Sequence, residues 1–300
     1  MYDLIIIGAG PAGITAAVYA ARKRMNFVVI TNDIGGQAAW SGDIENYTGY
    51  QFVTGPDLVS KFEEHMKKFN VSVKEGEPVA DIKKNGDIIT VKTNKGEYEA
   101  RVIIIASGKI SRELGVPGEK EFKNKGLTYC ATCDAPLFSG KDVAIIGGGN
   151  SALDAALQLI KIAGKVYMIN IASQLGGDAI MREKVMANSK VKVFNNSQVA
   201  SISGGKMVTS IKVRQEGKER EIPVGGVFVE AGLSPNSGFA KAVEMNEGGE
   251  IKVNCRNETS VPGIFAAGDV TNVPEKQIII AAGEGSKAAL SAFRYLSQKR

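Results

Sequence analysis

Short apolar runs closed by small residues set the rhythm of the chain. Asp3 to Ile7 ends in Gly8-Ala-Gly10-Pro-Ala-Gly13, a helix-like stretch follows to about Arg24, and Phe27 to Ile30 is a second apolar run. That is strand, glycine turn, helix, strand. Leu58, Val59, Phe62, Met66 and Phe69 then repeat at helical spacing, which predicts an amphipathic helix over Pro56 to Phe69. From Val71 to Val102 apolar and polar positions alternate, with Asn85-Gly86 and Asn94-Lys95-Gly96 as turn signals, and a β-meander is expected. Val102 to Ile105 reads as a buried strand ending in Ala106-Ser107-Gly108. At Lys141 the pattern restarts. Val143 to Ile146 is a strand, Gly147-Gly-Gly149-Asn150-Ser151-Ala152 a second turn, Leu153 to Ile162 a helix and Val166 to Ile169 a strand. A second meander, roughly Val191 to Ile222, leads to a buried strand at Val227 to Ala231. The chain closes with Ile264 to Asp269, then Gln277 to Ala282 and a small-residue helix to about Leu296.

Composition narrows the class. Three hundred residues exceed the usual size of a single core, so two domains are expected. At 44% hydrophobic and 23% charged, the chain reads as an ordinary soluble globular protein. Its net charge of +5 is spread out, with no dense basic block to suggest nucleic acid. The longest uncharged run, Leu4 to Ala21, is broken by glycines and Pro11 and follows Asp3, which disfavours both a membrane span and a signal peptide. Three cysteines do not make a disulfide scaffold, so a reducing compartment and a cytoplasmic enzyme are expected.

The glycine turns carry the first chemistry. In G-x-G-x-x-G the first glycine permits the tight turn, the second lets backbone approach a pyrophosphate, and the third lets helix pack on strand. The phosphates then sit on free N–H groups at the helix N-terminus. Two complete units predict two dinucleotide sites. The acid expected on a ribose at the end of the second strand is replaced by Thr31-Asn32-Asp33. Gly268-Asp269, closing an apolar strand, places a carboxylate at the edge where ligands bind in such folds. Trp40 reads as a packing residue and His65 as a solvent-facing one among charges.

Cys130 and Cys133 stand two residues apart in LTYCATCDAPLFS, followed directly by Asp134. Zinc wants four ligands, and the chain offers only one histidine and one further cysteine, Cys255, read as a bystander. No metal is expected. The spacing suits two thiols that close reversibly into a disulfide.

Taken in order, GAGPAG, GGQ, IENY, ASG, CATCD, GGGNSA and AAGD resemble the low-molecular-weight thioredoxin reductases over essentially the whole chain. The stretches Glu258 to Asp269 and Pro274 to Ile280 are closer still to the reductase portion of the alkyl hydroperoxide reductase flavoprotein. The resemblance implies an α/β fold of two Rossmann-like, three-layer domains, each with an antiparallel β-meander, the second inserted into the first. Residues 1–110 and 241–300 would bind FAD, and 111–240 would bind the pyridine nucleotide and carry the C-x-x-C. It implies FAD contacts at Gly10, Ala12, Gly36, Gln37, Asn46, Gly268, Asp269 and Gln277. Gly8, Pro11, Gly13, Thr31, Asn32, Val79, Ala106, Ser107, Gly108, Lys276 and Ile278 complete that candidate set. Gly147, Gly149, Asn150, Ser151 and Asn170 are the candidates for the second nucleotide.

By the same analogy Cys133 is the thiol nearest the flavin, Cys130 the interchange thiol and Asp134 the general acid/base. NADPH-dependent members carry a His-Arg-Arg signature after the strand at Val166 to Ile169; this chain has Asn170-Ile171-Ala172-Ser173 instead, with Arg182 well downstream. Without a bidentate cation a 2′-phosphate has little to bind it, so NADH is expected over NADPH. The implied reaction runs from NAD(P)H through FAD to the Cys130–Cys133 disulfide and on to a thioredoxin-like or glutaredoxin-like protein disulfide, or a peroxiredoxin system. A homodimer is implied, and so is domain rotation about crossings near residues 110 and 240. Two rivals share features with it. An NAD(P)H oxidase or ferredoxin–nucleotide reductase would not need the C-x-x-C, and a non-catalytic redox sensor would bind FAD with negligible turnover.

Overall fold

The computed structural model describes residues 1–41 and 43–299. In chain order, β1 (Tyr2–Ala9) leads through the first glycine turn into α1 (Pro11–Arg22) and β2 (Phe27–Ile34). A 3-10 turn at Gly36–Trp40, the short pair β3 (Asp43–Ile44) and β4 (Val53–Thr54), and α2 (Gly55–Lys67) follow. Thr54 caps α2 by accepting a hydrogen bond from Asp57 N. Next come β5 (Val73–Lys74), β6 (Val79–Asn85), β7 (Ile88–Thr93), β8 (Glu97–Ile105) and β9 (Lys109–Ser111). The middle of the chain holds α3 (Glu119–Phe122), β10 (Leu127–Thr128), α4 (Ala131–Asp134), β11 (Val143–Ile146), α5 (Asn150–Ile160), β12 (Val166–Ile169) and α6 (Ala179–Met186). It continues through β13 (Val191–Phe194), β14 (Ser197–Gly204), β15 (Val208–Gln215), β16 (Lys218–Pro223) and β17 (Gly226–Val229). The last elements are β18 (Leu233–Pro235), β19 (Ile264–Ala266) and α7 (Ile278–Gln298).

These elements form two compact units, Met1–Ile110 with Ser234 onward, and Ser111–Leu233. In the first, β5, β2, β1, β8 and β19 run parallel, and β7 and β6 continue the sheet as an antiparallel extension from β8. The strand expected at Val102 to Ile105 is the second half of β8, whose first half closes the meander. Strand alternation divides the core. Leu4 and Ile6 pack with α1 and α7 on one face, while Ile5 and Ile7 pack with Ile82, Ile89 and Val91 of the meander on the other. Both faces are covered, so the strands read as unbroken apolar runs.

The second unit repeats the plan. Its parallel sheet runs β10-β17-β11-β12-β13, with β14, β15 and β16 as a separate antiparallel meander. Val191 to Phe194 thus belongs to the parallel sheet rather than to the meander expected from its pattern, pairing in register with Val166 to Ile169. Val143 and Ile145 face α5, and Ala144 and Ile146 face the meander. The chain crosses between units after Ile110 and after Leu233, the latter somewhat before the expected position near 240. In the first unit Asn236 N donates to Gly108 O at 2.9 Å, and in the second Arg112 N donates to Gly232 O at 3.0 Å.

Helix α7 seats on α1 through small residues, and closest at one point: a Cβ on Gly285 would lie 2.0 Å from the backbone oxygen of Ala12. Replacing Gly285 by Ala should therefore force the helices apart and cost about 1–3 kcal/mol of stability, the usual range for overpacking. Calorimetry would register this as a lowered Tm; an unchanged Tm for Gly285→Ala would show that the contact yields.

Candidate active site

The first glycine turn is built for close backbone approach. Gly8 has φ of +103°, and a Cβ there would meet the carbonyl oxygen of Ala106 at 2.4 Å. Gly10 caps α1 in an extended conformation, Pro11 occupies the first turn, and no acid stands there. A Cβ on Gly10 would reach no closer than 3.8 Å to Gly35 O, and one on Gly36 would lie 3.7 Å from the Gly10 Cα. The two glycine turns therefore face each other across space that side chains would fill. Bare N–H groups at the helix N-terminus favour an anion, and this cradle fits the pyrophosphate of a dinucleotide.

The other candidates of this unit make the following contacts. A Cβ on Gly108 would be 3.8 Å from Gln37 Nε2, and one on Gly268, at φ of +77°, would be 3.0 Å from the Ala12 Cβ. Asn46 Nδ2 donates to Gln277 Oε1 at 3.1 Å, and Gln277 caps α7, whose first residue is Ile278. Lys276 Nζ lies 3.0 Å from Glu250 Oε1, and Lys109 Nζ reaches the same oxygen at 3.1 Å. Burial works against the charge on Glu250, yet hydrogen bonds from Asn246, Lys276 and Lys109 hold its carboxyl at about 2. Burial pushes the neighbouring Asp269 carboxyl up, against the pull of Lys276 and Lys109. Thr31, at the end of β2, is buried and already engaged, accepting from Ala9 N at 3.2 Å and donating to Asp33 O at 2.5 Å. Asn32 is exposed and donates to Asp33. Glu77 N donates to Thr31 O at 3.0 Å, and Val79, two residues on, pairs with Thr93 at the start of β6. Ser107 Oγ donates to Asn236 O at 2.6 Å.

The second unit repeats the device. Gly147 has φ of +144°, and a Cβ there would strike the Glu230 carbonyl oxygen at 2.1 Å. Gly149 caps α5 with nothing within 4 Å of a Cβ, and no acid occupies the first turn, so a second anion fits. Asn150 and Ser151 are exposed at that N-terminus, where Asn150 Oδ1 accepts from Asp178 N at 2.7 Å. Asn170 is 4% exposed and spends its carboxamide internally. Nδ2 donates to Asn195 Oδ1 at 2.9 Å and to Ala172 O at 3.2 Å, and Oδ1 accepts from Ala172 N at 3.3 Å. It also lies against Gly148, where a Cβ would meet Oδ1 at 2.4 Å. Asn170 is thus packed against the turn, with both amide protons engaged within the unit and its oxygen accepting one bond. Ile171 follows at 75% exposure, beside a cleft of about 320 Å³ lined in part by Asn196, Gln198 and Arg214. The Arg214 guanidinium is paired with Glu219 at 2.8 Å. Arg182 donates to Leu175 O at 3.4 Å.

In the same unit Cys130 and Cys133 form a disulfide, their Cα atoms 5.3 Å apart. Cys130 caps the short α4, with its sulfur 3.1 Å from Cys133 N. Cys130 is half-buried and Cys133 exposed. The half-buried Asp134 accepts from Thr128 Oγ1 at 2.5 Å, and Cys130 N donates to that same hydroxyl at 3.1 Å. Thr132 Oγ1 donates to Gln158 Oε1 at 3.1 Å, and Gln158 Nε2 to Asp154 Oδ2 at 3.0 Å.

Two acids escaped the sequence reading. Glu230 follows β17 beside the second glycine turn; burial, then the charge of Asp154, pushes its carboxyl up to about 8. An acid closing the apolar run Val-Phe-Val was the available signal. Glu119 is 2% exposed and bonded to the residue before Cys130, and its pattern gave no hint of this. His65 and Cys255 are exposed, and among the described residues no cluster of His, Cys, Asp and Glu could hold a metal ion. Nor is any helix among them long and apolar enough to cross a membrane.

The family model described as pyridine nucleotide-disulphide oxidoreductase matches residues 2–285. The chain is 40% identical over 299 residues to an alkyl hydroperoxide reductase component of Staphylococcus aureus, covering 98% of this chain and 59% of that protein. It is also 40% identical over 299 residues to a protein named NADH dehydrogenase from Ferdinandcohnia aciditolerans, covering 98% and 57%. The chain thus spans less than two thirds of these curated relatives' length. Among solved structures, Lactococcus lactis thioredoxin reductase superposes with a TM-score of 0.94 at 34% identity, over 99% of this chain and 100% of that one. The chain belongs to the pyridine nucleotide-disulphide oxidoreductase family, and within it to the proteins built like thioredoxin reductase.

Proposed function

We propose that the chain is a flavin-dependent disulfide reductase that passes electrons from NADH to a thioredoxin-like or glutaredoxin-like protein disulfide through Cys130 and Cys133. The observation carrying this reading is the Cys130–Cys133 disulfide in a chain with two bare, glycine-framed helix N-termini. When bound, FAD supplies a two-electron link between the pyridine nucleotide and that disulfide. Gly10, Gly36 and the start of α1 would hold its pyrophosphate, with Asn46, Lys276, Gln277 and Asp269 around the remainder. Gly147, Gly149 and the start of α5 would hold the second nucleotide. A homodimer in the cytoplasm completes the reading, on the family likeness.

The local geometry supports distinct roles for the thiols. In the reduced pair, the Cys133 N–H directed at the Cys130 sulfur stabilises a thiolate there. That thiolate attacks one sulfur of the partner disulfide, forming a mixed disulfide and releasing the partner's other sulfur, which takes a proton. Cys133, once deprotonated, attacks the Cys130 sulfur; the internal disulfide re-forms and the partner leaves as a dithiol. Asp134, adjacent to Cys133 and held by Thr128, is the group proposed to carry the proton. The preference for NADH rests on Ile171 standing where NADPH-binding members carry arginine, and on Arg182 and Arg214 being bonded elsewhere. A relative named NADH dehydrogenase supports it.

Three outcomes are expected. Anaerobic titration should show NADH bleaching the flavin with kcat/KM about tenfold or more above NADPH, the value of a missing charged clamp; faster bleaching by NADPH would reverse the assignment. Cys130→Ser and Cys133→Ser should each abolish reduction of protein disulfides while nucleotide oxidation by ferricyanide persists, and retained disulfide reduction would sink the route. Glu230 gives a pH signature. A carboxyl raised from 4.5 to about 8 keeps its proton in the folded chain where the unfolded chain has lost it, so stability falls as pH rises through that window. Thermal melts of Glu230→Gln between pH 5 and 9 should show that decline flattened; a decline equal to that of the parent would refute the assignment.

A further inference from the structure

We propose that Glu119 is a positioning residue for the redox pair, fixing the Cys130 end of the C-x-x-C loop through the hydroxyl of Tyr129. The carboxylate is 2% exposed and holds three donors at 2.7 Å. Oε1 accepts from Leu114 N and Tyr129 OH, and Oε2 accepts from Gly115 N. A carboxylate this deep is tolerated only when its lone pairs are filled. Burial pushes the Glu119 carboxyl up, but the bonds from Leu114, Tyr129 and Gly115 outweigh it and leave it below its ordinary range. Burial and the bond to Glu119 push the Tyr129 phenol well up in turn, so the hydroxyl stays a donor. The other charged groups acting on Tyr129 are Lys123, 5.1 Å over its ring, and Glu113.

The two ends of this clasp matter. Leu114 and Gly115 lie just after the chain enters the unit at Ser111, on a stretch that Arg112 N fastens to Gly232 O. Tyr129 immediately precedes Cys130, whose N donates to Thr128 Oγ1 and whose sulfur faces Cys133 N. A side chain eleven residues upstream of Cys130 thus sets where the backbone on both sides of Tyr129 runs. Without the hydroxyl bond the Cys130 sulfur is freer to leave the N–H that favours its thiolate. The thiol should then titrate higher, and the reduced pair should lose part of its stabilisation.

This inference rests on Cys130 and Cys133 being the redox pair, and its test does not need NADH or a partner protein. The full-length protein is reduced with dithiothreitol, and alkylation of Cys130 by iodoacetamide is followed against pH by mass spectrometry in the parent, Tyr129→Phe and Glu119→Gln. Tyr129→Phe keeps the ring and should fold with a Tm lowered by the lost bond to the buried carboxylate, yet alkylate Cys130 about three- to tenfold more slowly at pH 7, its pH midpoint displaced upward by the corresponding half to one unit. Glu119→Gln, which turns an amide donor toward backbone N–H groups, should displace it at least as far. A parental alkylation profile in folded Tyr129→Phe overturns the proposal, whether or not Glu119→Gln folds. Failure of NADH to reduce the parent disulfide would instead count against the functional reading and leave this result standing.

Discussion

Everything in this chain is arranged around helix starts left bare of side chains. The free N–H groups at the start of α1 and α5 attract an anion only if nothing of the protein occupies the space before them. Strand and helix must then be joined by a turn so tight that a neighbouring carbonyl lies where a Cβ would be. Gly8 meets Ala106 in this way, and Gly147 meets Glu230. In each case the carbonyl belongs to the end of a parallel strand paired to the one before the turn, or to the residue just beyond it. The turn, the sheet register and the empty helix end are therefore one constraint met twice. The seating of α7 on Ala12 through Gly285 extends it, bringing the Asp269 strand end to the same place.

Buried carboxylates divide by whether donors reach them. Glu119 and Glu250 are each met by several N–H or O–H groups, and these outweigh burial, so both stay ionised. Burial and the charge of Asp154 act together on Glu230, so it keeps its proton to about 8. The first kind fixes backbone in place, since each bond it accepts is lost if the segment shifts. The second kind responds to solution conditions near neutrality. Both kinds stand beside candidate site residues: Glu250 between Lys109 and Lys276, Glu119 bonded to the residue before Cys130, and Glu230 beside the second glycine turn.

What could be read from sequence was what is local. Both strand–turn–helix units were legible because a continuous apolar run, spaced glycines and a helical stretch are contiguous. The C-x-x-C disulfide was legible for the same reason. What pattern could not show was which partners each segment meets once folded. Val191 to Phe194 alternates as a meander strand would, but pairs in parallel with β12, which its pattern could not reveal. Asn170, a candidate for the second nucleotide, also bonds Asn195 and Ala172 within its own unit. Glu119 carries no motif of its own; folding brings Leu114, Gly115 and Tyr129 onto it.

The redox motif shows why the local reading is necessary but incomplete. Two cysteines at this spacing can always approach one another, since a single turn brings their Cα atoms to the 5.3 Å found here. Proximity alone does not decide which sulfur is the nucleophile. The two sulfurs differ in setting: Cys130 stands before the turn and Cys133 within it, so that one N–H points at one sulfur. Holding this arrangement requires the preceding residues to be anchored, because a helix of one turn has little stability of its own. Thr128 anchors from within the motif and Glu119 from outside it. CATCD brings the two sulfurs together, and the backbone beside it is bonded to side chains that the five residues do not contain.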